Sequence, residues 1–231
     1  QYIDVKGSLQ CLGKPDSLIT FLPFDTNEPW EGIRLNNPSS TNDSTILTYC
    51  ELAYTNTING FSSGGALYVY HYNNMRVENC KFHNNSAVYG GGAYLRYANI
   101  IFRNNEVFNN HSNSWGGGLY MDNFDNGIFN GNVIYDNKSL YMAGGAYLAS
   151  CEGKFANNTI IRNQANRGAG GIYFGGGSPR LYNSILWDNY VLNGSLNQYL
   201  QQSANVYFYN NILQQGIEFQ VYYASNNSTD A

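Results

Sequence analysis

The residues in this chain that could do chemistry are few and scattered. Only 12 % of the 231 residues are charged, 12 Lys and Arg against 16 Asp and Glu, and there are three histidines and four cysteines. A hydrolytic or lyase site needs convergent carboxylates for acid–base work or calcium, usually with an Arg or Lys beside them. The nearest approaches are Arg96 with Asp122, and Asp122 with Asp125 and Glu152. The first reads as a surface ion pair, worth about 0–1 kcal/mol. The second would hold a cation such as Ca2+ only if loops gather the three carboxylates, because the spacing is not that of a DxDxDG calcium loop. His71, His83 and His111 make no triad with a Ser and an Asp and are expected to be solvated or bound in turns. Cys11, Cys50, Cys80 and Cys151 lack the CxxC spacing of a zinc site.

What positions these residues is a repeat. The chain holds 35 Asn, 25 Gly and 21 Tyr, about a third of its length. Five segments align: Gly64-Gly65-Ala66-Leu67-Tyr68, Gly91-Gly92-Ala93-Tyr94-Leu95, Gly117-Gly118-Leu119-Tyr120-Met121, Gly144-Gly145-Ala146-Tyr147-Leu148 and Gly170-Gly171-Ile172-Tyr173-Phe174. Their third positions, 66, 93, 119, 146 and 172, step by 26 or 27. A second series, running from Val77–Asn85 through Phe102–Asn110 to Phe208–Gly216, keeps the same period. Each period carries three strand-sized runs separated by Gly or Asn clusters, and no stretch has helical apolar spacing. A unit of this kind winds once and pairs in parallel with the next. The fold expected is therefore all-β, a single-stranded parallel β-helix of roughly seven or eight coils, about 35 Å long at the usual strand spacing. Residues 1–60 would be irregular N-terminal coils, 61–216 the regular repeats, and 217–231 an end or linker.

The columns of the repeat suggest what each residue type does. Asn105, Asn132, Asn158 and Asn211 share one position, with Ser184 filling the gap and Cys50 and Cys80 continuing it; Asn85, Asn110, Asn137, Asn163 and Asn189 share another. Stacked amides can donate and accept up such a ladder. Cys50 and Cys80, one coil apart, read as a buried thiol stack, with a disulfide as the alternative. The paired glycines fit a tight corner of positive φ. If Ala93 and Leu95 face inward, Tyr94 faces outward, and so do Tyr120, Tyr147 and Tyr173. Arg34 and Leu67 would extend that column. Such an exposed aromatic strip would suit sugar rings, or would simply stiffen the sheet through cross-strand pairs.

Phe82-His83-Asn84-Asn85 followed by Gly91-Gly92-Ala93, with Phe102–Asn105, Phe129–Asn132, Phe155–Asn158 and Phe208–Asn211, resembles the FxxN and GGA repeats of the polymorphic outer membrane protein family of autotransporter adhesins. The resemblance covers about residues 60–215. More broadly the chain is similar to right-handed parallel β-helix proteins of bacterial surfaces, the architecture of pectate lyases. It implies a right-handed solenoid, secreted or displayed on a bacterial surface, with a glycan or a host or cell-surface protein as partner. Tyr stands where the adhesin motif has an aliphatic residue, and no membrane-anchoring barrel lies in this chain.

A net charge of −4 without a basic run argues against nucleic acid, and no apolar stretch approaches the roughly 20 residues of a spanning helix. Gln1 opens without a signal-peptide pattern, as expected of a processed or excised segment. Eight N-x-S/T triplets, at Asn42, Asn84, Asn110, Asn137, Asn157, Asn193, Asn226 and Asn227, are expected by chance in so Asn-rich a chain. The expectation is a non-catalytic adhesin or carbohydrate-binding β-helix with no cofactor. Its alternatives are a polysaccharide lyase or glycoside hydrolase with a divergent site, or a structural stalk.

Overall fold

The computed structural model describes residues 1–25, 27–37, 44–60, 62–192 and 197–214; Gly216, the interval 217–231 and the triplets at Asn42, Asn193, Asn226 and Asn227 lie outside them. The described residues form strands and no helix, and the strands pair in parallel, each with its counterpart one coil away. One coil shows the plan: Ala93–Arg96, Ile101–Arg103, Glu106–Phe108 and His111–Trp115 are four short strands at four corners, and the next coil begins with Leu119–Asp122. Stacked, they make sheets 1, 2 and 3 of eight strands each and a sheet 4 of five, about seven turns of a solenoid. Ile33–Asn36, Thr45–Thr48 and Cys50–Ala53 join these sheets in register with the later coils.

Sheet 4 is a fourth strand where three runs per period were expected. Its inward column, Ala87, Ser112, Ser139 and Ala165, is small and partly polar, so it shows no apolar alternation. One register also differs from the sequence alignment. Leu67, not Ala66, lies opposite Ala93, which puts Tyr68 beside Tyr94 and turns Leu67 inward.

In the four coils from Leu67 to Gly168 each corner carries one residue of positive φ. In one coil these are Tyr97 (φ 50°), Asn104 (54°), Asn109 (52°) and Gly116 (69°); in the next, Asn123 (54°), Gly131 (69°), Asp136 (54°) and Ala143 (62°). Asn and Asp tolerate this left-handed region better than other L-residues. The first pair supplies the positive φ itself, at Gly64 (62°), whereas at the pairs Gly91-Gly92, Gly117-Gly118 and Gly144-Gly145 it falls one residue earlier, at Gly90, Gly116 and Ala143. The later pairs are needed for close approach. A Cβ on Gly118 would lie 2.7 Å from the carbonyl oxygen of Gly145, and one on Gly145 2.7 Å from that of Gly171.

Two amide ladders run through the interior. Asn137 Oδ1 accepts from the backbone N–H and Nδ2 of Asn110, at 3.0 and 2.9 Å, while its own Nδ2 donates to Val107 O and Asn163 Oδ1, both at 2.9 Å. The pattern repeats from Asn85 to Asn189, with Thr55 at one end and Gln198 at the other. The second ladder runs Cys80, Asn105, Asn132, Asn158, Ser184 and Asn211, and the Cys50 N–H reaches Cys80 Sγ at 3.4 Å. All four cysteines are free and buried. Beside the ladders lies a column of apolar rings, with Phe102 and Phe129 stacked at 5.5 Å.

Replacing Asn137 by Ala leaves the buried Asn110 N–H without its acceptor and takes a donor from Val107 O and Asn163 Oδ1, while Asn110 Nδ2 keeps Phe82 O. At about 1–3 kcal/mol per buried unsatisfied group, urea unfolding should show a loss of about 1–3 kcal/mol, against less than about 0.5 kcal/mol for the exposed Asn113→Ala. Similar small losses at both positions would show that the ladder does not hold the coils together.

Candidate binding surfaces

The outward face of sheet 1 follows from its register. One column runs Arg34, Tyr68, Tyr94, Tyr120, Tyr147, Tyr173 and Leu200. The five tyrosine rings stack with centroids 5.3, 4.8, 5.2 and 4.7 Å apart and planes within 10° of parallel. The spacing of parallel strands nearly equals a ring-stacking distance, so each ring covers its neighbour. Trp115 stacks on Tyr147 at 5.1 Å, Tyr89 lies 5.2 Å from Trp115, and the Arg34 guanidinium sits 5.3 Å over Tyr68. The strip expected to be exposed is thus mostly covered: Tyr94, Tyr120 and Tyr173 keep 9, 8 and 4 % of their surface. A sugar ring has no free aromatic face within the column.

Burial also acts on the phenols. It raises the pKa of Tyr94, Tyr120 and Tyr173 above the ordinary value, and pushes Tyr147 up to about 12. These hydroxyls stay neutral donors and acceptors throughout the physiological range.

The next outward column is more open. It runs Asn36, Tyr70, Arg96, Asp122 and Ala149, with His71 and Tyr97 at the corner that follows. Arg96 Nε lies 2.8 Å from Asp122 Oδ2, and its guanidinium packs 5.1 Å over Tyr97 and 6.0 Å from Tyr70. Tyr97 in turn stacks on His71 at 4.5 Å. Desolvation raises the pKa of Asp122 despite the attraction of Arg96. At the N-terminal end this surface opens into a cleft of about 280 Å³ lined by Tyr2, Asp4, Lys6, Arg34, Asn36 and Tyr68. Arg34 is buried there, and its guanidinium donates to the Glu31 and Ser63 carbonyls.

The remaining candidates lie apart. Asp125 Oδ1 accepts from the Glu152 N–H at 3.2 Å and Asp122 Oδ1 from Asn123 Nδ2 at 2.7 Å, and among the described residues no three potential ligands gather as a metal site. His83 is neither solvated nor merely turn-bound. It is buried on sheet 3, where Asn84 Nδ2 donates to its Nδ1 at 2.9 Å, so Nε2–H donates to Glu51 at 2.8 Å, and its ring stacks on Phe108 at 4.8 Å. His111, its pKa lowered by burial, bonds Asn113 at 3.2 Å. Of the described triplets, Asn84 and Asn157 are exposed, while Asn110 and Asn137 are locked in a ladder. Tyr68, Tyr70, Tyr97 and Trp115 were not singled out in the sequence. The period alone would have found Tyr70, which holds the Arg96 position one coil earlier, and Tyr97 follows Arg96 directly in the chain.

A family model described as a right handed beta helix region matches residues 27–186. Comparison with curated proteins and with solved structures finds no match. Among the described residues no helix is long and apolar enough to cross a membrane.

The stacked tyrosines should be visible in an alkaline titration. A phenol raised in the fold contributes stability that is present below the ordinary value near 10 and lost as pH rises through its folded pKa, about 12 for Tyr147. Phenolate absorbance should therefore rise in two stages, exposed tyrosines first and the column together with unfolding. A single stage near pH 10, completed in the folded protein, would show that the column is open to water.

Proposed function

Because the chain belongs to the right-handed β-helix family, we propose that it is a non-catalytic carbohydrate-binding module that acts outside the cell. The observation that carries this reading is the outward surface running from the cleft at Tyr2, Asp4, Arg34 and Tyr68 along Tyr70, Arg96, Tyr97 and Asp122. A guanidinium and a carboxylate held side by side offer donors and acceptors to neighbouring sugar hydroxyls. The half-exposed rings of Tyr70 and Tyr97 offer apolar surface for the sugar C–H groups. The covered tyrosine column is the rigid bed beneath this surface, not the contact itself. Its repetition coil after coil suits an extended, repeating ligand. The GGA and FxxN motifs shared with surface adhesins support the extracellular placement.

The carboxylates argue against hydrolysis or elimination on this face. Asp122 is held by Arg96 and Asn123, and the other close acid–base pair, Glu51 with His83, lies on a different sheet. A structural stalk is the second reading, favoured by the mutual burial of the tyrosine rings.

Glycan-array binding by the intact chain and by Tyr70→Ala and Arg96→Gln tests the proposal. Each variant should bind its glycan at least about tenfold more weakly, the loss of one good contact, with thermal stability little changed. Undiminished binding by both leaves the stalk reading standing. Unsaturated or shortened products from a polysaccharide panel would instead mean an enzyme.

A further inference from the structure

The charges on sheets 1 to 3 are mostly paired. Glu78 takes both Arg76 and Arg103 at 2.7 Å, Lys81 meets Glu106 at 3.6 Å, Arg96 meets Asp122 at 2.8 Å and Arg162 meets Asp136 at 2.8 Å. Low net stability is gained by each pair, but the pattern is consistent: a cation on one coil is matched by a carboxylate on the same or the adjacent coil.

Sheet 2 breaks this pattern in its later coils. Lys154 and Arg180 are direct register partners in one outward column, so two cations stand one strand spacing apart. Neither makes an ion pair among the described residues; Arg180 packs 5.7 Å over the Tyr207 ring. Like charges directly opposite each other on a sheet destabilise it. In a chain with only 12 cations, two of them stand side by side with no carboxylate in ion-pair contact among the described residues.

Both side chains line a groove of about 600 Å³. It is lined as well by Asp125, Asn126 and Glu152 and by Ile128, which is 47 % exposed and holds the column position one coil before Lys154. The Asp125 carboxylate is already engaged by the Glu152 N–H and does not reach across to neutralise the cations. The groove thus combines a column of two cations without an ion-pair partner, an exposed apolar side chain in that same column, and lining carboxylates and amides.

We propose that this groove is a second binding site, for a saccharide that bears an oxyanion. Lys154 and Arg180 take the anionic group between them, with Arg180 in the planar geometry suited to a carboxylate or sulfate. Asp125, Glu152 and Asn126 accept from or donate to the hydroxyls of the same or the next sugar, and Ile128 meets the ring C–H face. The lining carboxylates repel a densely charged polyanion such as a nucleic acid, so the ligand is one whose charges are sparse and separated by hydroxyls. The site lies on a different sheet from the surface around Tyr70 and Arg96 and stands independently of the function proposed for it.

Calorimetric titration of the full chain with a carboxylated oligosaccharide, a sulfated one, their uncharged counterparts and inorganic sulfate tests the site. One acidic oligosaccharide should bind, more weakly as salt rises, and which of the two binds identifies the oxyanion. Lys154→Gln and Arg180→Gln should each weaken it at least about tenfold, while Tyr70→Ala should leave it unchanged. Equal affinity for acidic and neutral sugars, unaltered binding by the Lys154→Gln/Arg180→Gln double variant, or sulfate binding as tightly as the oligosaccharide would each overturn the proposal. Thermal melting gives a readout free of ligand: relieving the like-charge contact should hold or raise the Tm of Lys154→Gln. A fall would show that Lys154 has a structural partner and would also overturn it. Loss of binding in Tyr70→Ala and Arg96→Gln with the groove intact would touch only the sheet 1 reading.

Discussion

A buried amide that must find a polar partner on the neighbouring rung, most often the same amide one coil away, is the constraint on which this molecule rests. Asn110 has no water to turn to, so its backbone N–H and Nδ2 must find Asn137 Oδ1, and Asn137 must in turn find Asn163. Each rung makes a neighbour one coil on obligatory and fixes its height. A slipped coil would leave several buried polar groups without partners, a cost comparable to a sizeable fraction of a typical domain's whole stability. The rest of the regularity is inherited. Once the ladders hold the coils in register, the Phe102 and Phe129 rings stack inside and the tyrosine rings stack outside at nearly the same separation.

That inheritance divides the surface into parts. Where the outward residue is aromatic, register turns it into a packed column, and most of its area is lost to solvent. Where the outward residue is charged, the same register sets it against the charge above and below, for good at Arg96 and Asp122 or for ill at Lys154 and Arg180. The surface that stacking leaves open lies in the unfinished columns. Tyr70, Tyr97 and the groove beside Ile128 are such places; the regular tyrosine column is mostly covered.

Much of the fold was legible because its strongest constraints are written in residue type. A stacking position, and the left-handed corner just before it, ask for Asn in coil after coil, so the 26- to 27-residue period and the two ladder columns stand out in the sequence. The inward residue three places before each ladder position, Phe102 before Asn105 and Val107 before Asn110, marks two such steps per coil. The FxxN motif captures one of them in most repeats and the other at Phe82–Asn85. What could not be read lacks such a signature. The strands of sheet 4 turn Ser and Ala inward, and Leu67 differs from Ala66 by a single register step that only the stacking of Tyr68 resolves. Alternation correctly sent the tyrosines outward, yet facing outward is not exposure: that depends on the distance to the next coil, which no single repeat contains. His83 paired with Glu51 because a residue 32 positions away shares its face.

The small-residue corner changes character at its last described member. Gly92, Gly118, Gly145 and Gly171 each lack a Cβ because the coil that follows lays a carbonyl there. The next member of that column is Gln198, whose backbone carbonyl accepts from the Ile172 N–H and whose side-chain Oε1 accepts from Asn189 at 2.8 Å. No described strand of sheet 1 follows Tyr199–Gln201, and the Gln198 side chain turns into the ladder only nine residues after Asn189 instead of a full coil away, with its Nε2 donating on to Gln214 Oε1 at 3.2 Å. Ala66 holds the same column position on an earlier coil and keeps its Cβ with a further coil above it. Gln198 thus serves two columns at once: its backbone carries the corner, and its amide carries the ladder.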